Sequence, residues 1–121
     1  MDTNALLFAL REPKKLSKKA EKAITTADGV YYSAESLWEI GLKHCLGKFD
    51  NDSRVVASAA RDAGFQALDI SLSDIHAMDL VNDFPHRDPF DLLIVATSKD
   101  RLFPLVNSDT VVREYLKNVI W

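Results

Sequence analysis

Asp2, Glu39, Asp91 and Asp109 are the residues of this chain best placed to do chemistry together. They come from four separate segments, and each stands near a point where a strand gives way to a helix or a helix opens. Carboxylates brought to one rim repel, so they stay ionised and close only if a cation neutralises them. An oxygen-only donor set with no accompanying cysteine and histidine pattern selects a hard ion, Mg²⁺ or Mn²⁺. Such an ion binds a phosphodiester, lowers the pKa of an attacking water and stabilises the leaving oxygen. The chemistry these residues point to is therefore metal-assisted hydrolysis of a phosphodiester. Zinc does not suit the chain, because His76 sits alone among Ile75, Ala77 and Met78, with no second histidine at ligand spacing.

Each acid also has a purely structural use. In His86-Arg87-Asp88-Pro89-Phe90-Asp91, Asp88 is a good N-cap, Pro89 suits a first helical position, and Asp91 puts negative charge where the helix dipole favours it. Asp88 and Pro89 suffice to start the helix, which leaves Asp91 free for a metal. Asp2 or Thr3 can cap the helix that follows. Glu35, Glu39 and Lys43 recur at intervals of four and share one helix face. Lys43 has two readings of equal weight, a helical pair with Glu39 and a phosphate contact.

The elements that must position these side chains alternate between strand and helix. Asn4–Leu10 is apolar and helical in pattern, and Pro13 breaks it. Ser17 caps a second helix reaching Thr26, whose lysines form a solvated face. Val30-Tyr31-Tyr32 is a short strand, after which Ser33 caps a helix from Ala34 to Leu46 closed by Gly47. That helix is apolar nearly all round, so Glu39 is expected to face something other than open water, and Cys45 is expected to be buried. Val55–Ala63 is a small alanine-rich helix, Gln66–Ile70 a second strand, and Ser73 the expected cap of a helix from Asp74 to Leu80. The Asp88–Ser98 helix is nearly uncharged and must be buried. Phe103–Val106, Val111–Lys117 and Asn118–Trp121 complete the chain as strand, helix and strand. Alternation of this kind favours a parallel sheet covered on both faces, with ligands at the C-terminal ends of its strands.

With 121 residues the chain is read as one domain, residues 1–121, of α/β class. A net charge of -3 argues against a protein that grips nucleic acid through a broad basic surface, though an acidic pocket offset by metal ions remains compatible with a nuclease. The single cysteine has no internal partner, which suits a reducing compartment. No apolar run approaches the ~20 residues needed to span a bilayer, and the start lacks a signal-peptide pattern. The expected location is the cytoplasm.

The ordered set of motifs resembles the PIN-domain ribonucleases, and most of all the VapC-type toxins of type II toxin–antitoxin pairs. Asp2-Thr3-Asn4-Ala5-Leu6-Leu7 resembles the first acidic motif of that family. Ser33-Ala34-Glu35-Ser36-Leu37-Trp38-Glu39-Ile40 is similar to the second, with the glutamate at Glu39. His86–Ala96 resembles the third, and Leu105-Val106-Asn107-Ser108-Asp109 the fourth. The resemblance implies a three-layer α/β/α domain with a short central parallel sheet. It also implies a Mg²⁺- or Mn²⁺-dependent endoribonuclease held inactive by a cognate antitoxin and commonly a homodimer. Carried over, Asp2, Glu39, Asp91 and Asp109 form the catalytic and metal-binding set, with Asp88, Asn107, Lys43 and Arg87 in support. Asn107 stands where the family often has Thr or Ser, able to orient a ligand or water. The low positive charge suggests an RNA chosen by shape and a few contacts such as Arg87, Lys43 and Lys48.

The chain departs from the family in two respects, that low positive charge and its start: only Met1 precedes Asp2, so the first strand is expected to be cut short and Asp2 to be loosened. A PIN-like protein that binds without cleaving is the reading the short start keeps open. A signalling receiver domain shares the size and the α/β alternation, but it needs paired acids after its first strand and a lysine after its last, and neither is visible.

Overall fold

Asp2 begins the chain's first helix and also joins its two halves. In the computed structural model, which describes all 121 residues from Met1 to Trp121, α1 runs Thr3–Arg11 with Asp2 as its N-cap. Helix α2, Lys18–Thr26, is capped by Ser17 as its sequence requires. Strand β1, Tyr31–Ser33, leads directly into α3, Ala34–Cys45, and α4, Ser53–Asp62, precedes β2, Gln66–Leu68. Next come α5, Leu72–His76, a 3₁₀ segment Ala77–Val81, and α6, Pro89–Asp100. Strand β3, Leu105–Val106, helix α7, Thr110–Tyr115, and strand β4, Val119–Ile120, close the chain.

The α/β class is as expected, but the strands form two parallel ladders, β1 with β2 and β3 with β4. The backbone of Met1-Asp2 bridges them. The Met1 nitrogen donates to the Tyr31 carbonyl at 2.8 Å, and the Asp2 N–H donates to the Val106 carbonyl at 3.1 Å. One side of Met1-Asp2 thus belongs to β1 and the other to β3. Asp2 is consequently held rather than loosened: it is 8% exposed, and its carboxylate is fixed by the first turn of α1. Away from this bridge the space between the ladders is an apolar cavity of about 240 Å³, lined by side chains such as Ile24, Val30, Leu105 and Ile120. Tyr31 and Phe103 stack with ring centroids 5.8 Å apart beside it.

Packing divides accordingly. Phe84, Val81, Ile94, Val95, Leu105 and Val112 form one cluster, in which α6 is buried on most sides as its uncharged sequence demands. Leu6, Tyr32, Ile40, Val56 and Ala60 form a second, joining α1, β1, α3 and α4. These two clusters flank the bridge, so α1, α3 and α6 present their N-terminal ends toward a common region.

Three local expectations are corrected. Ser71, not Ser73, caps α5, because Asp74 completes a reciprocal capping box with Ser71, and the Ser73 hydroxyl instead reaches Asp100. Cys45 is exposed in the last turn of α3, where Lys43, His44 and Leu46 are exposed too. The outer face of α3 is also open, with Trp38, Leu42 and Leu46 exposed. Apart from the contact of Trp38 with Phe90, the helix is therefore apolar on a side that the rest of the chain leaves open.

Asp74 is buried and takes a forked contact from Arg101, Nε to Oδ1 at 2.8 Å and Nη2 to Oδ2 at 2.5 Å, besides the Ser71 N–H and hydroxyl. Burial raises its pKa, but the hydrogen bonds from Arg101 and Ser71 prevail and hold it at about 2. Removing Arg101 leaves a buried carboxylate half-satisfied. Because the guanidinium is partly exposed, Arg101→Ala is expected to cost roughly 2–3 kcal/mol in urea unfolding, below the range for a fully buried pair. A loss under about 0.5 kcal/mol would show that the pair does not anchor α5 to α6.

Candidate active site

Three helix starts bring the acids together. Asp2 caps α1, its Oδ1 accepting the Ala5 N–H at 2.7 Å. Ser33 caps α3, its hydroxyl accepting the Glu35 N–H at 3.2 Å, which fixes Glu35 in the first turn and places Glu39 one turn further along the same face. Asp88 caps α6, its Oδ1 accepting the N–H groups of Phe90 at 2.9 Å and Asp91 at 3.3 Å. Asp91 is left with its own side chain free of capping. A buried hydrogen bond from the Thr3 hydroxyl to Ser36, at 3.0 Å, pins α1 to α3. Between these ends lies a narrow cleft of about 40 Å³ lined by Asp2, Asn4, Glu35, Glu39, Phe90 and Asp91.

Burial and the neighbouring charges both act on these acids. Burial raises the pKa of Asp2 to about 6, with Asp91 and Glu39 adding to the rise, although the Ala5 N–H and the Met1 amine oppose it. Glu35 is pushed further, to about 8, by burial first and then by Glu39, Asp91, Asp2 and Asp88. Burial and the neighbouring Asp88 raise Asp91 as well, against the pull of His86. The rise comes although Asp91 stands in the first turn of α6, where the helix dipole favours negative charge.

The sequence-predicted residues are placed as follows. Asp2, Glu39 and Asp91 line the cleft. Asp109 lies outside the lining: it caps α7 through the Val111 and Val112 N–H groups at 2.7 and 3.2 Å, yet its charge still reaches Asp91. Asn107 is fully buried, accepts the Asp109 N–H at 2.6 Å, and has its side-chain N–H₂ without a partner. Lys43 pairs with Glu39, so the helical salt pair is formed, with the ammonium half-exposed. Arg87 and Lys48 are exposed.

Two residues of the site were not singled out from the sequence. Glu35 is 1% exposed and its Oε2 has no partner. His86 lies 3.5 Å from the Asp91 carboxylate through Nδ1, with its ring edge-on to the buried Phe84. Glu35 was visible as a member of the Glu39 face, but nothing in the spacing says which end of that face sinks.

Burial, with like charge added to it, holds Asp2, Glu35 and Asp91 above their ordinary pKa values, so the site is short of positive charge. The PIN domain profile matches residues 1–117. The chain belongs to the PIN domain family. PIN domains are typically nucleases and generally use divalent metal ions. No curated protein and no solved structure matches the chain.

The residues of this PIN domain fit such an ion. The donors are all carboxylates, and one buried carboxylate oxygen, Oε2 of Glu35, is unpartnered where a ligand could meet it. No three His, Cys, Asp or Glu side chains are gathered at ligand spacing. The division between the two acids of α6 makes a direct prediction. Asp88→Ala is expected to cost about 0.5–2 kcal/mol in denaturant unfolding as a lost cap while leaving the cleft acids in place.

Proposed function

We propose that this PIN domain is a metal-dependent endoribonuclease and the toxin of a toxin–antitoxin pair, acting on RNA phosphodiesters with Mg²⁺ or Mn²⁺. The observation that carries the reading is the convergence of Asp2, Glu39 and Asp91 on one cleft from three helices. The cation, when bound, supplies Lewis acidity toward the phosphodiester and a nucleophilic water at neutral pH.

The chain's own groups supply the rest. Asp2, Glu39 and Asp91 hold the ion, with Asp109 at the rim, and His86 keeps the Asp91 carboxylate oriented across its 3.5 Å contact. Lys43, bonded to Glu39, carries an ammonium at the edge of the site that can turn to a substrate phosphate, and Arg87 is a second exposed cation on the Asp88 side. Trp38 is 57% exposed and makes a T-shaped contact at 4.9 Å with Phe90, which lines the cleft, so an exposed indole lies near it. Bases of a single-stranded segment stack on such rings without sequence preference, which supports RNA loops as the substrate and matches the absence of a broad basic surface.

The partners in this reading are an antitoxin protein and a second copy of the chain, in the cytoplasm. No helix is long and apolar enough to cross a membrane. Induced expression in a bacterial host tests the toxin role. Growth arrest with RNA degradation, relieved by Asp91→Asn at equal protein level, is expected. Normal growth with the wild-type protein at that level would contradict it.

A further inference from the structure

Glu35 has no place in the set Asp2, Glu39, Asp91 and Asp109, yet it is the most deeply buried acid lining the cleft. Its residue is 1% exposed, and Oε2 is sealed from solvent with no hydrogen-bond partner. A buried carboxylate oxygen without a partner costs stability unless a bound group satisfies it. Lys43, the one lysine of this helix face, is bonded to Glu39. The Met1 amine, which acts on Glu35 through charge, spends its hydrogen bond on the Tyr31 carbonyl. Arg101 is committed to Asp74. No side-chain cation of the protein forms an ion pair with Glu35, and Glu39, Asp91 and Asp2 surround it with like charge.

Its position is also rigid. The Ser33 hydroxyl fixes the Glu35 N–H, and the Thr3–Ser36 bond locks the same turn against α1, so Glu35 is held beside Asp2. One turn along α3, Glu39 faces the same way. We propose that Glu35 is a further oxygen donor of the cleft, binding the divalent cation together with Asp2, Glu39 and Asp91. The proposal rests on the metal-dependent reading above and adds a ligand to it. With Glu35 included, α3 contributes two donors four residues apart, and the otherwise orphaned oxygen is satisfied.

Calorimetric titration of the purified protein with MnCl₂ at neutral pH, in the absence of RNA, tests this. The wild-type protein is expected to bind Mn²⁺, and Glu35→Gln, which keeps the shape and removes the charge, is expected to bind about tenfold more weakly or worse. Glu35→Gln is also expected to melt no lower than wild type without metal, because the amide, unlike Glu35, needs no proton taken up on burial at neutral pH. Should Glu35→Gln fail to fold, Glu35→Asp retracts the carboxylate by one methylene and is expected to weaken Mn²⁺ binding similarly. Affinity within twofold of wild type in whichever variant folds would overturn the role of Glu35 while leaving the metal site standing. Absence of Mn²⁺ binding by the wild-type protein at millimolar concentration would instead overturn the metal-dependent reading itself, and Glu35's role with it.

Discussion

Asp91→Asn is expected to lower RNA cleavage by about 10³-fold or more while shifting unfolding free energy by no more than about 1 kcal/mol. The reason lies in the two acids at the head of α6. Asp88 accepts the first N–H groups of the helix, so Asp91 is not needed to start it. The Asp91 side chain turns to the cleft, where its nearest partner is His86 at 3.5 Å and its pKa is already raised by burial and by Asp88. Asparagine keeps the size and one acceptor oxygen, but loses the charge a divalent cation requires. Cleavage assays beside urea titrations separate the two effects, and Asp88→Ala provides the reverse pattern. Equal loss of activity in both variants would show that Asp88 shares the chemistry.

The cation-free protein is expected to lose roughly 2–4 kcal/mol of stability between pH 4.5 and 6. The pKa values of Glu35 and Asp2 are raised, from 4.5 to about 8 and from 3.8 to about 6. In that window the folded protein still holds protons that the unfolded chain has released, so stability falls as pH rises. Between pH 6 and 8 the loss from Glu35 continues, but the Met1 amine, lowered from 8.0 to about 6 by burial, works the other way and flattens the curve. Below pH 3.8 the sign reverses for Asp74, whose depressed pKa of about 2 means that its contribution is lost as acid is added. Urea unfolding in EDTA across pH 3 to 8 checks this. Glu35→Gln is expected to shallow the fall and leave a rise above pH 6, and Mn²⁺ to offset it by favouring the ionised acids. A curve that climbs steadily from pH 4.5 to 6 would contradict the burial of these two groups.

The helix starts were legible because their chemistry is local. Ser17, Ser33 and Asp88 cap as their residue types and spacing require, and the uncharged run after Asp91 had to be buried. The ordered acids likewise pointed to one site, and Asp2, Glu39 and Asp91 do line one cleft. What sequence could not supply was depth. Glu35, Glu39 and Lys43 share a helix face, but α1 closes over only the first turn, so Glu35 is sealed while Lys43 stays half-exposed. The exposed Trp38, Leu42 and Leu46 pose the same difficulty in reverse, since an apolar side chain does not say what covers it. Strands of two or three residues are too short for alternation to set their ends, and the bridging of two ladders by Met1-Asp2 depends on contacts more than 25 residues away in sequence.

The central claim is that the carboxylate cleft hydrolyses RNA with a divalent cation. Its most direct test is cleavage of an end-labelled single-stranded RNA by the purified protein in Mn²⁺, with EDTA and Asp91→Asn as paired controls. Internal cleavage that needs Mn²⁺, stops in EDTA and is lost in Asp91→Asn is the predicted result. Cleavage that persists unchanged in EDTA or in Asp91→Asn would contradict it.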